Sequence, residues 1–259
     1  MAEQTMFGDL AGKTAFITGA SSGLGQHFAR LLSGHGMKVA LAARRTDRLQ
    51  AAADEIRAAG GHAVPVKLDV TDAQSVKDAV AHAETELGAI HVLINNSGIV
   101  QAKKAIDLEE SDWDWMMDTN LKGSWMVATE VARHMRRLGH GGSIINIASI
   151  IAFRVQKEIM SYGVSKAGVV QMSKGMAEEF ARFGIRVNAI APGYVITDLN
   201  RDYLLSQHGE AMKKKIPFRR FGEPADLDGP ILLLASEAGR YITGVCLPVD
   251  GGHTLSLSL

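Results

Sequence analysis

Short apolar runs alternate with amphipathic stretches along nearly the whole chain, and this alternation limits the fold more than any other feature. The runs are Lys13 to Ile17, Val39 to Ala42, Ala63 to Leu68, His91 to Ile94, Ser143 to Ile147, Arg186 to Ile190 and Val245 to Val249. Between them the apolar positions recur at helical spacing. Leu24, Phe28, Leu31 and Leu32 fall on one side of a helix that stops at Gly34 and Gly36. Asp47 stands where it can cap the next helix, which runs to the Gly60-Gly61 break. Val76, Val80, Ala83 and Leu87 mark a third helix, closed by Gly88. Trp113 to Met135 forms a long helical region with Asn120 inside it, and the helix carrying Tyr162 extends to about Phe183. Strand, helix and strand in turn, with short breaks, require parallel strands joined by right-handed crossovers. The expected fold is α/β: a doubly wound parallel sheet of about seven strands with helices on both faces. No composition shift marks a linker, so residues 1–259 are expected to form a single domain. The largest irregular stretch, 194–221, reads as a partly helical flap, and 253–259 as a tail.

Charge and cysteine usage narrow the function classes. Lys+Arg and Asp+Glu both number 28, so no overall field favours nucleic acid or an anionic membrane. A single cysteine, Cys246, excludes an intrachain disulfide and fits a reducing compartment; its apolar neighbours make it a packed, unreactive thiol. No run nears the ~18 apolar residues of a membrane span, and Met1 to Gly8 shows no secretory pattern, so a cytoplasmic location is expected.

Three stretches carry chemistry. Thr18-Gly19-Ala20-Ser21-Ser22-Gly23-Leu24-Gly25 lies between the first strand and the first helix. Bare glycines let a backbone approach phosphates there, and the helix start offers free N–H donors. The spacing is G-x-x-x-G-x-G, a departure from G-x-G-x-x-G. The second strand ends in Arg44-Arg45 with no carboxylate before Asp47, and guanidinium groups suit a 2′-phosphate where an acid would suit a ribose hydroxyl. Asp69, ending the third strand, either touches the adenine or caps the helix begun near Thr71. Tyr162 and Lys166 are four residues apart, on one face of a helix. An ammonium beside a phenol favours phenolate, and a useful shift from the free phenol near ~10 is roughly 3 units, or ~4 kcal/mol. Ser149, at a strand end, can hold a substrate oxygen, which completes a proton-handling site for a carbinol or carbonyl.

Taken in order, Thr18 to Gly25, Asn95-Asn96-Ser97-Gly98, Asn120, Ser149, Tyr162-Gly163-Val164-Ser165-Lys166 and Pro192-Gly193 resemble the short-chain dehydrogenase/reductase family from about Leu10 to Gly252. The Ser149–Tyr162 separation, 162 − 149 = 13, matches the spacing used there. The resemblance implies a Rossmann-type fold and hydride transfer between NADP(H) and a ketone or secondary alcohol. It implies that Tyr162 is the general acid in reduction and the base in oxidation. Ser149 would position the substrate oxygen. Lys166 would tune Tyr162 and hold the nicotinamide ribose, and Asn120 would hold a relay water. For the cofactor it implies Gly19, Ser21, Ser22, Gly23, Leu24, Gly25, Arg44, Arg45, Asp69, Val70, Asn96, Ser97, Gly98, Pro192, Gly193, Val195 and Thr197, with no metal. Ser22 stands at the family's other basic position, so NADP preference rests on Arg44 and Arg45; Ser97 replaces the usual Ala. A 3-oxoacyl-thioester reductase is the alternative enzyme, and an NADP-sensing binding protein the non-enzyme alternative.

The neighbourhood of Ser149, with Ile150, Ile151, Phe153, Val155, Ile159 and Met160, is apolar and suits a hydrophobic ketone, or is plain core. Lys213 to Lys215 with Arg219 and Arg220, and Arg133, Arg136 and Arg137, either meet an anionic carrier or form solvated helix faces. The resemblance implies a homotetramer or homodimer through the helices bearing Asn120 and Tyr162. Met172, Met176 and Phe180 face either that partner or the sheet. The alternating tail Thr254 to Leu259 is expected at a subunit interface.

Overall fold

The computed structural model describes residues 6–198 and 200–255. Seven parallel strands form one sheet in the order β3-β2-β1-β4-β5-β6-β7. They are β1 (Thr14–Thr18), β2 (Lys38–Ala43), β3 (His62–Lys67), β4 (Ile90–Asn95), β5 (Gly142–Ile147), β6 (Ile185–Pro192) and β7 (Cys246–Val249). The longer helices are α1 (Gly23–Gly34), α2 (Thr46–Ala58), α3 (Ala73–Leu87), α4 (Glu110–Met117), α5 (Gly123–Leu138) and α6 (Met160–Phe180). Three short ones follow: α7 (Arg201–Leu204), α8 (Gln207–Lys213) and α9 (Asp228–Ala235).

Strands buried on both faces need apolar side chains in both directions. In β1 every residue is buried, and successive residues divide between two cores. Ile17 joins Ile94, Ile145 and Ile190 under α1, α2 and α9, while Phe16 joins Leu93 and Ile144 under α3, α5 and α6. The strand order reverses between β1 and β4, so the loops leaving their carboxyl ends part and open a crevice.

Local details revise three sequence expectations. Asp47 does not cap α2: the helix begins at Thr46, and Asp47 lies in its first turn, where its charge favours the helix dipole. Asp69 does not cap α3. Asp72 does, accepting the Gln74 and Ser75 N–H groups at 2.8 and 3.3 Å. The helical region around Asn120 is also not one regular helix, because a π-helical turn, Asp118–Lys122, joins α4 to α5.

Met176 is buried in the α3, α5 and α6 core, with Met172 and Phe180 packed against it, so these three face the sheet. The basic clusters are tied locally: Lys213 pairs with Glu210, Arg220 with Asp226, Arg133 with Glu130 and Arg137 with Glu84. Cys246 is partly buried, and burial pushes its thiol up to about 11. No helix among the described residues is long and apolar enough to cross a membrane. The carbonyl of Thr254 accepts from Arg154 Nε at 2.8 Å; the remaining tail, 256–259, lies outside the described residues.

Candidate active site

The crevice above β1 and β4 holds a cleft of about 660 Å³. Every site residue picked out in the sequence lines it except Gly25 and Asn120. The glycines are there for distinct steric reasons. Gly19 has φ +67°, and a Cβ on it would lie 2.9 Å from Asn96 Nδ2; a Cβ on Gly25 would lie 2.4 Å from the Gly19 carbonyl oxygen. The floor is therefore bare backbone under a short tie between strands. The Thr18 hydroxyl accepts the N–H groups of Asn96 and Ser97, both at 2.9 Å, and Asn96 Nδ2 donates to the Thr18 carbonyl at 3.1 Å.

These residues fit a phosphorylated dinucleotide. The start of α1 carries no side-chain cap, so its first N–H groups are left for a ligand. Arg45 reaches over the glycine turn, donating from Nη2 to the hydroxyls of Ser21 at 2.9 Å and Ser22 at 3.0 Å. A guanidinium and two hydroxyls thus gather where the turn meets the second strand, a donor set suited to a phosphate. Asp69 accepts both the N–H and the hydroxyl of Thr71, which, with the Arg44 charge, hold its carboxyl below the usual range. Its carboxylate is thereby aimed into the cleft at the end of β3.

At the other end, Ser149 leaves β5 and Tyr162 and Lys166 come from the first turns of α6. Lys166 Nζ donates to the Ile147 carbonyl at 2.8 Å and lies 5.8 Å from the centre of the Tyr162 ring. Gly98 makes room for it, since a Cβ there would stand 3.3 Å from that nitrogen. Burial pushes Lys166 down to about 8. Burial also pushes the Tyr162 phenol up, against a smaller downward pull from its hydrogen bond with Ser149. The direction differs from the lowering expected beside an ammonium: loss of water around the phenol is the largest influence, and Ser149 is what opposes it. The Ser149 hydroxyl accepts the Ile151 N–H at 3.2 Å, which leaves its own proton for another acceptor.

Asn120 is fully buried in the π-helical turn. Its Oδ1 accepts the Ile99 N–H at 2.8 Å, and its Nδ2 donates to the Ile99 carbonyl at 2.9 Å and to the Ser165 hydroxyl at 3.1 Å. Ser165 in turn donates to the Tyr162 carbonyl at 2.7 Å. One side chain therefore ties the loop segment following Gly98 to the helix that bears Tyr162. A second buried path runs from Asn95 Nδ2 to Asn146 Oδ1 at 3.0 Å, and from Asn146 Nδ2 to the Ser173 hydroxyl at 2.9 Å.

The wall facing Tyr162 differs from the sequence expectation. Ile150, Ile151, Phe153, Val155, Ile159 and Met160 do not line the cleft: Ile150 and Ile159 are buried, and Phe153, Val155 and Met160 point outward. The cleft is lined instead by residues that include Val100, Trp115, Thr119, Tyr194 and Asn200. None of these was picked out in the sequence: Tyr194 directly follows Pro192-Gly193, and Trp115 lies on a short helix that also carries Trp113, Met116 and Met117.

The family model described as Enoyl-(Acyl carrier protein) reductase matches residues 19–254. The L-rhamnose 1-dehydrogenase (NAD(P)(+)) of Sphingomonas sp. (strain SKA58) is 37% identical over 250 residues, 96% of this chain and 98% of that protein. The crystal structure of a short-chain type dehydrogenase/reductase from Mycobacterium marinum is 39% identical, with a TM-score of 0.91 over 96% of this chain and 98% of that one. That of a gluconate 5-dehydrogenase from Burkholderia cenocepacia J2315, in complex with NADP and tartrate, is 34% identical, with a TM-score of 0.92 over 98% of this chain and all of that one. With the glycine turn, the cleft and the Ser149, Tyr162 and Lys166 cluster in this arrangement, the chain belongs to the short-chain dehydrogenase/reductase family and is an oxidoreductase acting on CH–OH and C=O groups.

Proposed function

We propose that the protein transfers a hydride between NADP(H) and a ketone or secondary alcohol, with Tyr162 as general acid in reduction and general base in oxidation. The observation that carries this reading is the cluster of Tyr162, Ser149 and Lys166 at one end of a cleft whose other end gathers Arg45, Ser21 and Ser22. A bound NADPH supplies the hydride. The chain's own residues do the rest. Ser149 and Tyr162 hold the substrate oxygen, Ser149 with a proton its other bond leaves available. The buried Tyr162 phenol keeps its proton at neutral pH and delivers it as negative charge grows on that oxygen. Lys166, still cationic at pH 7, stabilises the phenolate left behind. Asn120 acts by position, fixing Ile99 against α6, and Arg44 and Arg45 choose the phosphorylated cofactor. The stretch 194–221 covers the substrate within a single 1–259 domain.

The chain works as a homotetramer or homodimer associating through α5 and α6, where Trp125 and Val164 stay exposed. Its compartment is the cytoplasm, the reading its lone thiol supports. The test is NADPH oxidation over aryl ketones, acetoacetyl esters and acyl thioesters, repeated with NADH. Ketone-dependent oxidation of NADPH, slower with NADH, is expected; equal rates with both cofactors would reject the role of the arginines.

A further inference from the structure

We infer that the substrate is uncharged and carries a flat apolar group, typically an aromatic ring, beside its carbonyl or carbinol carbon. This rests on the hydride-transfer reading above and names the substrate class of the same site. The charged side chains lining the cleft are Arg44, Arg45, Asp69 and Lys166. The first three belong to the end beside the glycine turn. Lys166 is committed to the Ile147 carbonyl beneath Tyr162. Away from the glycine turn the lining includes Val100, Trp115 and Tyr194, and, Lys166 apart, none of the described residues that line the cleft there carries a charge of either sign. Two basic residues that flank this wall in sequence are already occupied, Lys103 by Asp112 and Arg154 by the Thr254 carbonyl. A carboxylate placed here would lose water without gaining a cation.

What the wall does offer is aromatic surface held in place. The Tyr194 ring meets Phe221 edge-on at 6.3 Å and His253 at 5.7 Å, and its hydroxyl donates to Gln156 Oε1 at 2.5 Å. Three contacts fix one ring, so little is lost in ordering it when a flat group stacks on it. Trp115 reaches the same cleft from α4 with about half its surface exposed, and its indole adds a second apolar plane. Asn200 does not compensate as a polar anchor. Its Oδ1 accepts the Thr197 N–H at 2.7 Å and its Nδ2 donates to the Val195 carbonyl at 2.9 Å, so both ends of the amide are engaged.

The test compares matched substrates that differ only in charge or in the flat group, with NADPH binding followed separately by its fluorescence. The pair ethyl 4-acetylbenzoate and 4-acetylbenzoate reads charge; ethyl 4-acetylbenzoate against ethyl acetoacetate reads the ring. The ester should exceed the acid in kcat/KM by at least ~20-fold, and the aryl ester should exceed the alkyl one. Trp115→Arg, at a half-exposed position that tolerates a longer side chain, should shrink the ester-to-acid ratio at least ~5-fold. Tyr194→Ala should raise KM for the aryl ester more than for ethyl acetoacetate. An acid reduced as fast as its ester, or gluconate oxidised with NADP faster than ethyl 4-(1-hydroxyethyl)benzoate, the alcohol of the aryl ester, overturns the inference. So does NADPH binding without turnover of any of the three ketones. Absence of NADPH binding instead overturns the hydride-transfer reading, and this inference with it.

Discussion

A phenol that must give up a proton near neutrality needs to stay neutral until the substrate oxygen calls for it. Burial does this for Tyr162 by raising its pKa, and Lys166 then supplies the charge that makes release affordable. Tyr162→Phe removes the proton and nothing else of size. Turnover should fall by ~10³-fold while NADPH fluorescence still reports binding; a variant keeping a tenth of wild-type turnover would exclude Tyr162 as the proton donor. The pH dependence has a definite sign. Because Lys166 is lowered to about 8, it is cationic below that pH and neutral above it. The reductive kcat/KM should therefore hold from pH 6 to 7.5 and decline above about 8, and a profile flat to pH 10 would dismiss the ammonium's role. Most of these residues were legible in the sequence, since Ser149, Tyr162 and Lys166 depend only on spacing along a strand end and one helix. Trp115 and Tyr194 were not, because whether a side chain points into a cleft depends on how distant elements dock. Reading the apolar residues next to Ser149 as the wall failed for the same reason: the short 3₁₀ turn Ile150–Ala152 swings that stretch into the core and out to solvent.

Among the elements, the β1–α1 junction tolerates the least change. Gly25→Ala would put a methyl group 2.4 Å from the Gly19 carbonyl oxygen, and the neighbour is backbone, with no flexible end to move aside. The turn must shift, and NADPH affinity should drop at least ~10-fold by fluorescence titration, as the backbone cradle is what the phosphates need. Unchanged affinity would show that the turn is not the phosphate site. This turn was readable because glycines at fixed offsets between a strand and a helix leave few other uses. The π-helical turn at Asn120 was not readable. One extra residue in a turn changes hydrogen bonding without disturbing apolar periodicity over the long stretch from Trp113 to Met135. Of the two roles left open for Asp69, the cap of α3 falls instead to Asp72, three residues on, since both are competent caps and only the path of the chain after β3 decides between them.

The sheet as a whole has two unlike ends. Its carboxyl ends open into the cleft, while its amino ends are closed by histidines. The Thr14 N–H donates to His91 Nδ1 at 3.3 Å and the Ile90 N–H donates to His134 Nε2 at 2.9 Å, so both rings serve as acceptors for the first residues of β1 and β4. His140 stacks on His91 at 4.8 Å, and Glu84 and Arg137 flank His134. Burial, the largest cause, lowers both pKa values below the ordinary 6.5, with the neighbouring His140 charge adding to it at His91 and Glu84 opposing it at His134. A histidine lowered in the folded state binds fewer protons than in the unfolded chain. Its stabilisation is complete above about pH 6.5 and lost as pH falls below that value. The melting temperature should thus fall between pH 7.5 and 5.5, before carboxylates titrate; a constant value over that range would contradict the assignment. The doubly wound parallel class followed from alternation, as buried parallel strands leave no polar face to blur the pattern, whereas the order of the strands depends on how they pair and was seen only in the folded chain.

The half-buried thiol on the edge strand has a practical consequence. With its ionisation pushed to about 11, Cys246 carries almost no thiolate at pH 7 and should resist maleimide reagents. Because the chain holds just this one cysteine, the native background is effectively silent to such chemistry. A cysteine placed at the exposed Ile106 would then take a fluorescent label alone, provided that mass spectrometry of the unmutated protein finds no adduct.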